Sequence, residues 1–506
     1  MANLAVISTI QLSPQARQPV FGGPSAFERA LTWAKSIPDY KGTILLTNSS
    51  EAFPEEEFFA VIHREQWNEE TLIGALQEAA TLAEKLKPEA FFYAWGDCPL
   101  IDTAAASTLW ELHYRYNAEY TFADGYPIGL TPEIISPRLP KKLIPLAAKR
   151  TGPITRSSIF DILCLNINAF DIETHLAPED LRMQRVFISC DTRRNTNIAE
   201  ALYAAGGTDA ESLCRIIPEN PLLLRSLPAY FPIQITDNCP QACAYCPFSR
   251  TTNPMEGHNF MEKEAFADLW RRIAAFAGDA VISPSLWGEP SSHPRIGDIL
   301  HDILDKAPEH NIRVLIETSG IGWNTTLLKE LAYNYADGRL LWIVSLDAAD
   351  ETLYRSLRGE GMAEAEQCAR TLAELFGKNS YIQAVRMKTN EENLEEFYKK
   401  WKNHGGGAII QKHDSYGGLL ENLQPADLSP LDRFPCWHLK RDMPILIDGT
   451  VPACRTDMGR REPLGNAFSE SLERIWERGE ELYAAHIRAE YPGPCAKCDE
   501  YCTFNF

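Results

Sequence analysis

Eight of the 13 cysteines fall into two groups. The first is Cys239, Cys243 and Cys246 in "CPQACAYC", a C-x3-C-x2-C spacing directly after the apolar run "AYFPIQIT". Clustered thiols in a chain without a secretion signal read as metal ligands rather than disulfides. Two metal chemistries compete for them. A structural zinc wants a fourth protein ligand close by, and the nearest histidine, His258, stands twelve residues past Cys246. A [4Fe–4S] cluster accepts three thiolates and leaves one iron open to bind and activate a ligand. The second group is Cys436, Cys454, Cys495, Cys498 and Cys502, in the frame C-x12-G-x4-C and then C-x2-C-x3-C. It suits an iron–sulfur cluster or a zinc knuckle. Cys98, Cys164, Cys190, Cys214 and Cys368 are scattered and read as small core residues. Lys412, His413 and Asp414 end an apolar run, "GAIIQKHD". A strand end there would offer them for substrate contact or proton transfer, or simply to solvent.

The elements that must hold these residues alternate along the chain. "NLAVIST", "GTILLTN", "FFAVIH" and "AFFYAWGD" read as strands, separated by helical patterns such as "NEETLIGALQEAATLAEKL". That order predicts an α/β domain with a mostly parallel sheet over residues 1–205. The proline-rich "PENPLLLRSLPAYFP" marks a linker over 206–228. From 229 to 420 a second alternation runs through "FPIQIT", "DAVISPSLW", "IRVLIET", "LLWIVSLD", "YIQAVRMKT" and "GAIIQKH". Six such units predict a partial (β/α)6 barrel, in which Cys239 follows the first strand at the end where catalytic loops sit. Over 421–506 loops, Gly, Pro and Cys replace the pattern. The 506-residue length allows several domains, and 45% hydrophobic and 23% charged residues are ordinary for globular protein. A net charge of −20 argues against a nucleic-acid partner. No apolar run is long enough for a membrane span and "MANLAVISTIQLSPQAR" carries no signal-peptide pattern, so the expected address is cytoplasmic, with no membrane partner.

The cysteine loop with Tyr245 before its third cysteine resembles the C-x3-C-x-aromatic-C motif of radical SAM (S-adenosylmethionine) enzymes. "SLWGEP" resembles the Gly-Glu-Pro motif of that family at Gly288, Glu289 and Pro290, which in relatives hydrogen-bonds the methionine ammonium of SAM. "ETSG", with Glu317 and Ser319, resembles the segment lining the SAM site, and "SLDAADETLYRSLRG" resembles the "SLD…R" segment. The resemblance implies a SAM-binding [4Fe–4S] cluster on Cys239, Cys243 and Cys246, polar contacts to SAM from Ser345 and Asp347, and Arg358 near its carboxylate. It implies reductive cleavage of SAM to a 5′-deoxyadenosyl radical, hydrogen abstraction from a peptide or sugar-linked substrate, and an external electron donor of flavodoxin or ferredoxin type. "IDGTVPAC", "LGN" and "ERIW" resemble a SPASM or twitch domain. With five cysteines where the full pattern has seven, that resemblance implies one auxiliary [4Fe–4S] cluster, held by Cys436, Cys454, Cys495 and Cys498 with Cys502 as alternate or spare.

"GDCPLID" after a strong apolar strand, "DGYPIGLTPEIIS" and "RVFISCDTRRN" resemble, in that order, sugar-activating cytidylyltransferases of the nucleotidyltransferase fold. Carried over, Asp97 and Asp191 would hold Mg2+ between nucleotide phosphates. The loop "ISTIQLSPQARQPVFGGPSAFERAL" keeps Arg17 and Gly22–Gly23 but lacks the usual density of glycine and basic residues. A degenerate, substrate-holding domain and an active nucleotidyltransferase both remain open. The whole order resembles the family called spiro-SPASM proteins: an α/β chain with a nucleotidyltransferase-like domain, a radical SAM barrel and a small SPASM/twitch-like Fe–S domain. Its rivals are a bifunctional enzyme that also makes a nucleotide-activated sugar, and a zinc-stabilised binding protein without redox chemistry.

Overall fold

The computed structural model describes residues 2–49, 57–150, 152–251, 258–457 and 463–503. The chain divides into two compact units, Met1–Ser226 and Leu227–Phe506. Among the described residues no helix is long and apolar enough to cross a membrane.

The first unit is built on a seven-stranded sheet. Its strands are β1 (Asn3–Thr9), β2 (Tyr40–Thr47), β3 (Ala60–His63), β4 (Ala90–Trp95), β5 (Tyr120–Asp124), β6 (Glu133–Ile135) and β7 (Ile172–Leu176), in the order β3-β2-β1-β4-β6-β5-β7. β1 pairs in parallel with β2 and β4, whereas β6 runs antiparallel to both neighbours. β1 is buried along its whole length, as a strand covered by helices on both faces must be. Alternate residues serve opposite faces: Leu4, Val6 and Tyr93 pack towards helix Glu69–Leu82, while Ala5, Ile7 and Phe92 pack towards helices Ala26–Ala34 and Thr103–Arg115. The order reverses between β1 and β4, and a ligand crevice forms beyond the carboxyl ends of strands at such a point. Asp97 follows β4 there. Residues 210–219, inside the segment read as a linker, form a helix of this unit that buries Leu213, Ile216 and Ile217.

The second unit carries six strands in sequential order and all parallel: β8 (Tyr230–Pro232), β9 (Ala280–Ser283), β10 (Ile312–Thr318), β11 (Leu340–Ser345), β12 (Ser380–Arg386) and β13 (Ala408–Lys412). This is the expected partial (β/α)6 barrel. Phe231, Ile282, Val314, Ile316, Trp342 and Val344 face the helices in one large core. Tyr230, Val281, Leu315 and Ile343 form a small inner cluster, joined by Tyr381 and Ile409. Residues at odd positions of β10 to β13 therefore face the lumen. Past the barrel, the segment 441–445 runs beside β8: Tyr230 bridges Asp442 and Ile233 bridges Ile445, both in parallel. The Met443 and Ile445 amides donate to the Tyr230 and Pro232 carbonyls at 2.9 Å each. A short antiparallel pair, β14 (Thr450–Val451) and β15 (Gly465–Asn466), and helices Leu472–Arg478 and Glu480–Ile487 complete the unit.

Candidate functional site

The three-cysteine loop leaves the carboxyl end of β8 and is fastened at its root, middle and tip. At the root, Gly288 has φ 82°, and a Cβ there would lie 2.2 Å from the Thr236 carbonyl oxygen, so only glycine fits. The Glu289 amide donates to the Asn238 carbonyl at 2.7 Å. In the middle, Arg358 donates to Gln241 Oε1 through Nε (3.1 Å) and Nη2 (2.9 Å), and Gln241 Nε2 donates to the Tyr354 hydroxyl at 2.7 Å. At the tip, Ser249 Oγ donates to the carbonyls of Cys243 and Cys246 at 2.9 Å each.

Burial pushes the Cys243 thiol up to about 11, and those of Cys239 and Cys246 in the same direction. Glu289 adds to burial at Cys239, and the thiols raise one another; the Arg358 guanidinium pulls Cys243 and Cys246 back. Bound metal is what makes such thiols thiolates. Among the described residues, the set of three potential ligands whose atoms all lie within 4.8 Å of one another is Asp414, Asp499 and Glu500.

The polar residues expected around SAM divide into two kinds. Glu317 and Ser345 occupy lumen positions, with Ser345 in register with Gln383 of β12. Burial raises the Glu317 carboxyl and Arg455 pulls it back. The second kind is bound up in the protein. The Glu289 carboxylate is buried, accepting from Thr318 Oγ1 (2.5 Å) and the Ser319 amide (2.7 Å), so it fixes the end of β10. Pro290 is buried at the start of the following turn. Asp347 and Arg358, expected against SAM, face each other: Arg358 Nη1 donates to Asp347 Oδ2 at 2.5 Å, with side chains 6% and 0% exposed. The Tyr245 hydroxyl donates to the same carboxylate oxygen and accepts from Arg358 Nη1 at 2.6 Å. The Val385 amide takes Asp347 Oδ1 at 2.7 Å. Tyr245 therefore joins a loop-holding network.

At the end of β13 the expected trio separates. Lys412 is on the outer parity and pairs with Asp499 (2.8 Å) and Glu500 (2.5 Å). His413 is buried with neither ring nitrogen hydrogen-bonded, and burial lowers its pKa, so its ring is neutral. Asp414 pairs with Arg455 at 3.2 Å, which also reaches Glu500 at 3.5 Å. Burial first, then Glu500, lifts the Asp414 carboxyl to about 6, against the pull of Arg455. The carboxylates of Asp414, Asp499 and Glu500 are thus an ion-pair network with Lys412 and Arg455. Arg455 and Glu500 belong to no motif of the sequence. The only signal was their nearness to cysteines, Arg455 directly after Cys454 and Glu500 midway between Cys498 and Cys502.

The C-terminal cysteines converge in four. Burial raises the thiols of Cys436, Cys454, Cys495 (to about 11) and Cys498, and Cys454 adds to the rise at Cys436, Cys495 and Cys498. Cys502 is raised by burial as well, but its charged neighbours are Lys412, Glu500 and Asp499. A cavity of about 500 Å3, lined by Pro, Ala and Leu together with charged side chains such as Arg478 and Arg488, opens against Cys454 and Cys495.

In the first unit, Asp97 and Asp191 do come together, but around Arg156. Arg156 Nη2 lies 2.7 Å from Asp97 Oδ2 and 3.5 Å from Asp191 Oδ2. The expected Mg2+ does not fit: a guanidinium stands between the two carboxylates that would hold it.

Residues 233–400 match the family model of the Radical SAM superfamily, and residues 436–499 that of the SPASM iron–sulfur cluster-binding domain. An uncharacterised protein of Treponema pallidum (strain Nichols) is 40% identical over 365 residues, covering 69% of this chain and 99% of that protein. Among solved structures, Streptococcus suis SuiB bound to S-adenosylmethionine is 16% identical, with 63% of this chain and 87% of that chain covered and a TM-score of 0.43. A cytidylyltransferase from Leptospira borgpetersenii serovar Hardjo-bovis is 17% identical, with 45% and 98% covered and a TM-score of 0.36.

Proposed function

As a member of the radical SAM superfamily that carries a SPASM domain, the chain uses SAM and [4Fe–4S] clusters, and we propose that it turns SAM cleavage to abstracting a hydrogen atom from a peptide or sugar-linked substrate. When bound together, the cluster and SAM supply one-electron reductive cleavage of the sulfonium C–S bond, giving methionine and a 5′-deoxyadenosyl radical. The observation that carries this reading is a three-cysteine loop at the carboxyl end of the first strand of a parallel six-stranded barrel.

In this reading Cys239, Cys243 and Cys246 hold the cluster and leave one iron for SAM. Gln241, Tyr245, Asp347 and Arg358 hold the loop at a fixed height above the lumen. Gly288 and Glu289 tie that loop to the end of β10, and Pro290 stiffens the turn. Glu317, Ser319 and Ser345 give SAM and substrate a polar lining inside an otherwise apolar cluster, which excludes water from the reacting atoms. The carboxyl of Asp414, lifted to about 6, is the group near the rim placed to exchange a proton near neutral pH, while the neutral ring of His413 and the Lys412 ammonium are left to substrate contact. Cys436, Cys454, Cys495 and Cys498 hold one auxiliary cluster, with Cys502 outside the set. The electron for SAM comes from an external one-electron donor of flavodoxin or ferredoxin type.

Anaerobically prepared protein is expected to carry about eight iron atoms, two clusters of four, and to release 5′-deoxyadenosine from SAM under reductant. Exchanging Cys239, Cys243 and Cys246 together for Ala should remove about half the iron and all SAM cleavage. Zinc in place of iron would sink the proposal. Deuterium transfer into 5′-deoxyadenosine, measured across labelled peptides and nucleotide sugars, tests the hydrogen abstraction and sorts the two substrate classes.

A further inference from the structure

We propose that Arg156 is a built-in cation that replaces the divalent metal of the first unit, so that this unit binds no metal between Asp97 and Asp191 and transfers no nucleotidyl group.

Three observations carry this. The first is position: Asp97 follows β4 beside the point where the strand order reverses, where a ligand crevice belongs. The guanidinium of Arg156 reaches both carboxylates there. The second is saturation. Asp191 Oδ1 already accepts from Ser189 Oγ and Asn195 Nδ2, at 2.8 Å each, and the Cys98 thiol points at Asp97 Oδ1 at 3.4 Å. Arg156 takes the remaining oxygens. Its Nη1 lies on Cys98 Sγ at 3.5 Å, and its carbon sits 5.1 Å from the centroid of the Trp95 ring. A metal would have to displace a packed, charge-paired guanidinium. Mg2+ also demands near-octahedral oxygen ligands at about 2.0–2.1 Å and gives up its waters reluctantly.

The third observation lies in the loop that would cradle a triphosphate. Helix Ala26–Ala34 opens with a capping box. The Ser25 amide and hydroxyl donate to Glu28 Oε2 at 2.8 Å each, and the Glu28 amide donates to Ser25 Oγ at 3.3 Å. A carboxylate of the chain itself thus occupies the helix start, and it repels the phosphate that such an N-terminus would otherwise attract. The cation site is filled from within, and the helix start carries a negative charge where a phosphate would need a positive one.

The test uses the full chain with its clusters, and Mn2+ as the probe, with free Mn2+ read from its aqueous EPR signal. Wild-type protein should show no Mn2+ uptake that Asp97→Asn abolishes, no thermal shift with Mg2+ or EDTA that depends on Asp97, and no pyrophosphate release from CTP. Arg156→Met should gain one Mn2+ site at least tenfold tighter than any in wild type, and adding Asp97→Asn should remove it. Arg156→Lys, which keeps a cation, should fold and stay metal-free. An Asp97-dependent Mn2+ site or pyrophosphate release in wild type overturns the proposal, as does a folded Arg156→Met protein without the gain. Where Arg156→Met does not fold, the wild-type and Asp97→Asn comparison decides alone.

Discussion

At the scale of single residues, the buried charges decide most. Asp347 is fully buried at φ 64°, with both carboxylate oxygens spent on Arg358, Tyr245 and Val385. Arg358→Gln alone would strand that carboxylate, and we expect it to cost about 3–5 kcal/mol in denaturant unfolding. The pair Asp347→Asn with Arg358→Gln should recover a large part, and a double-mutant cycle reads the difference. Glu133 is the counterpart in the first unit. Its Oε2 is buried without a hydrogen-bond partner, and burial holds the carboxyl up at about 7 despite the Tyr120 hydroxyl. A folded pKa above the unfolded one means the folded state binds the extra proton. Stability is therefore lost as pH rises from about 4.5 to about 7, and levels off above. Glu133→Gln should flatten that slope and stabilise the chain at pH 8 by about 2–3 kcal/mol, seen by thermal unfolding at pH 5 and pH 8. The sequence made the cysteines findable because their signal is local. It did not show the internal partners of Glu289, Asp347 and Arg358, because most of these stand on other elements: Thr318 lies 29 residues from Glu289, Tyr245 102 from Asp347 and Gln241 117 from Arg358.

At the scale of elements, the six barrel strands were legible because each is a short run rich in apolar, β-forming residues, bounded by turn residues and separated by helical patterns. β5, β6 and β7 were not: β6 is three residues long, and β7 is half exposed at the sheet edge. The segment 206–228 read as a linker on its prolines. Pro221, however, opens a single 3-10 turn, where a missing N–H costs little, and the helix before it packs through Leu213 and Ile217. The junction of β8 and β9 with the cysteine loop has one irreplaceable residue. Gly288→Ala would force a Cβ into the Thr236 carbonyl at a positive φ. We expect it to destabilise the second unit by about 1–3 kcal/mol and to strip iron from the core site only, leaving about half the total by iron assay.

At the scale of the whole molecule, the two cysteine groups belong to one compact unit although they are far apart in sequence. Lys412 at the end of β13 meets Asp499 and Glu500, and Arg455 meets Asp414. If the C-terminal cluster serves substrate turnover and not SAM cleavage, Cys495→Ala with Cys498→Ala should lose about half the iron yet still release 5′-deoxyadenosine. Equal loss of SAM cleavage in both cysteine variants would instead give the second cluster a part in reduction. The strip 441–445 laid along β8 has a bearing on how such a chain survives its own synthesis. A parallel sheet is slow to form, and its first strand emerges with a row of unpaired amides and carbonyls that invite another molecule. Here the guard for that row is encoded some two hundred residues downstream. An excised barrel ending at residue 435 should therefore precipitate, whereas the full second unit stays dispersed, and light scattering during refolding would register the difference.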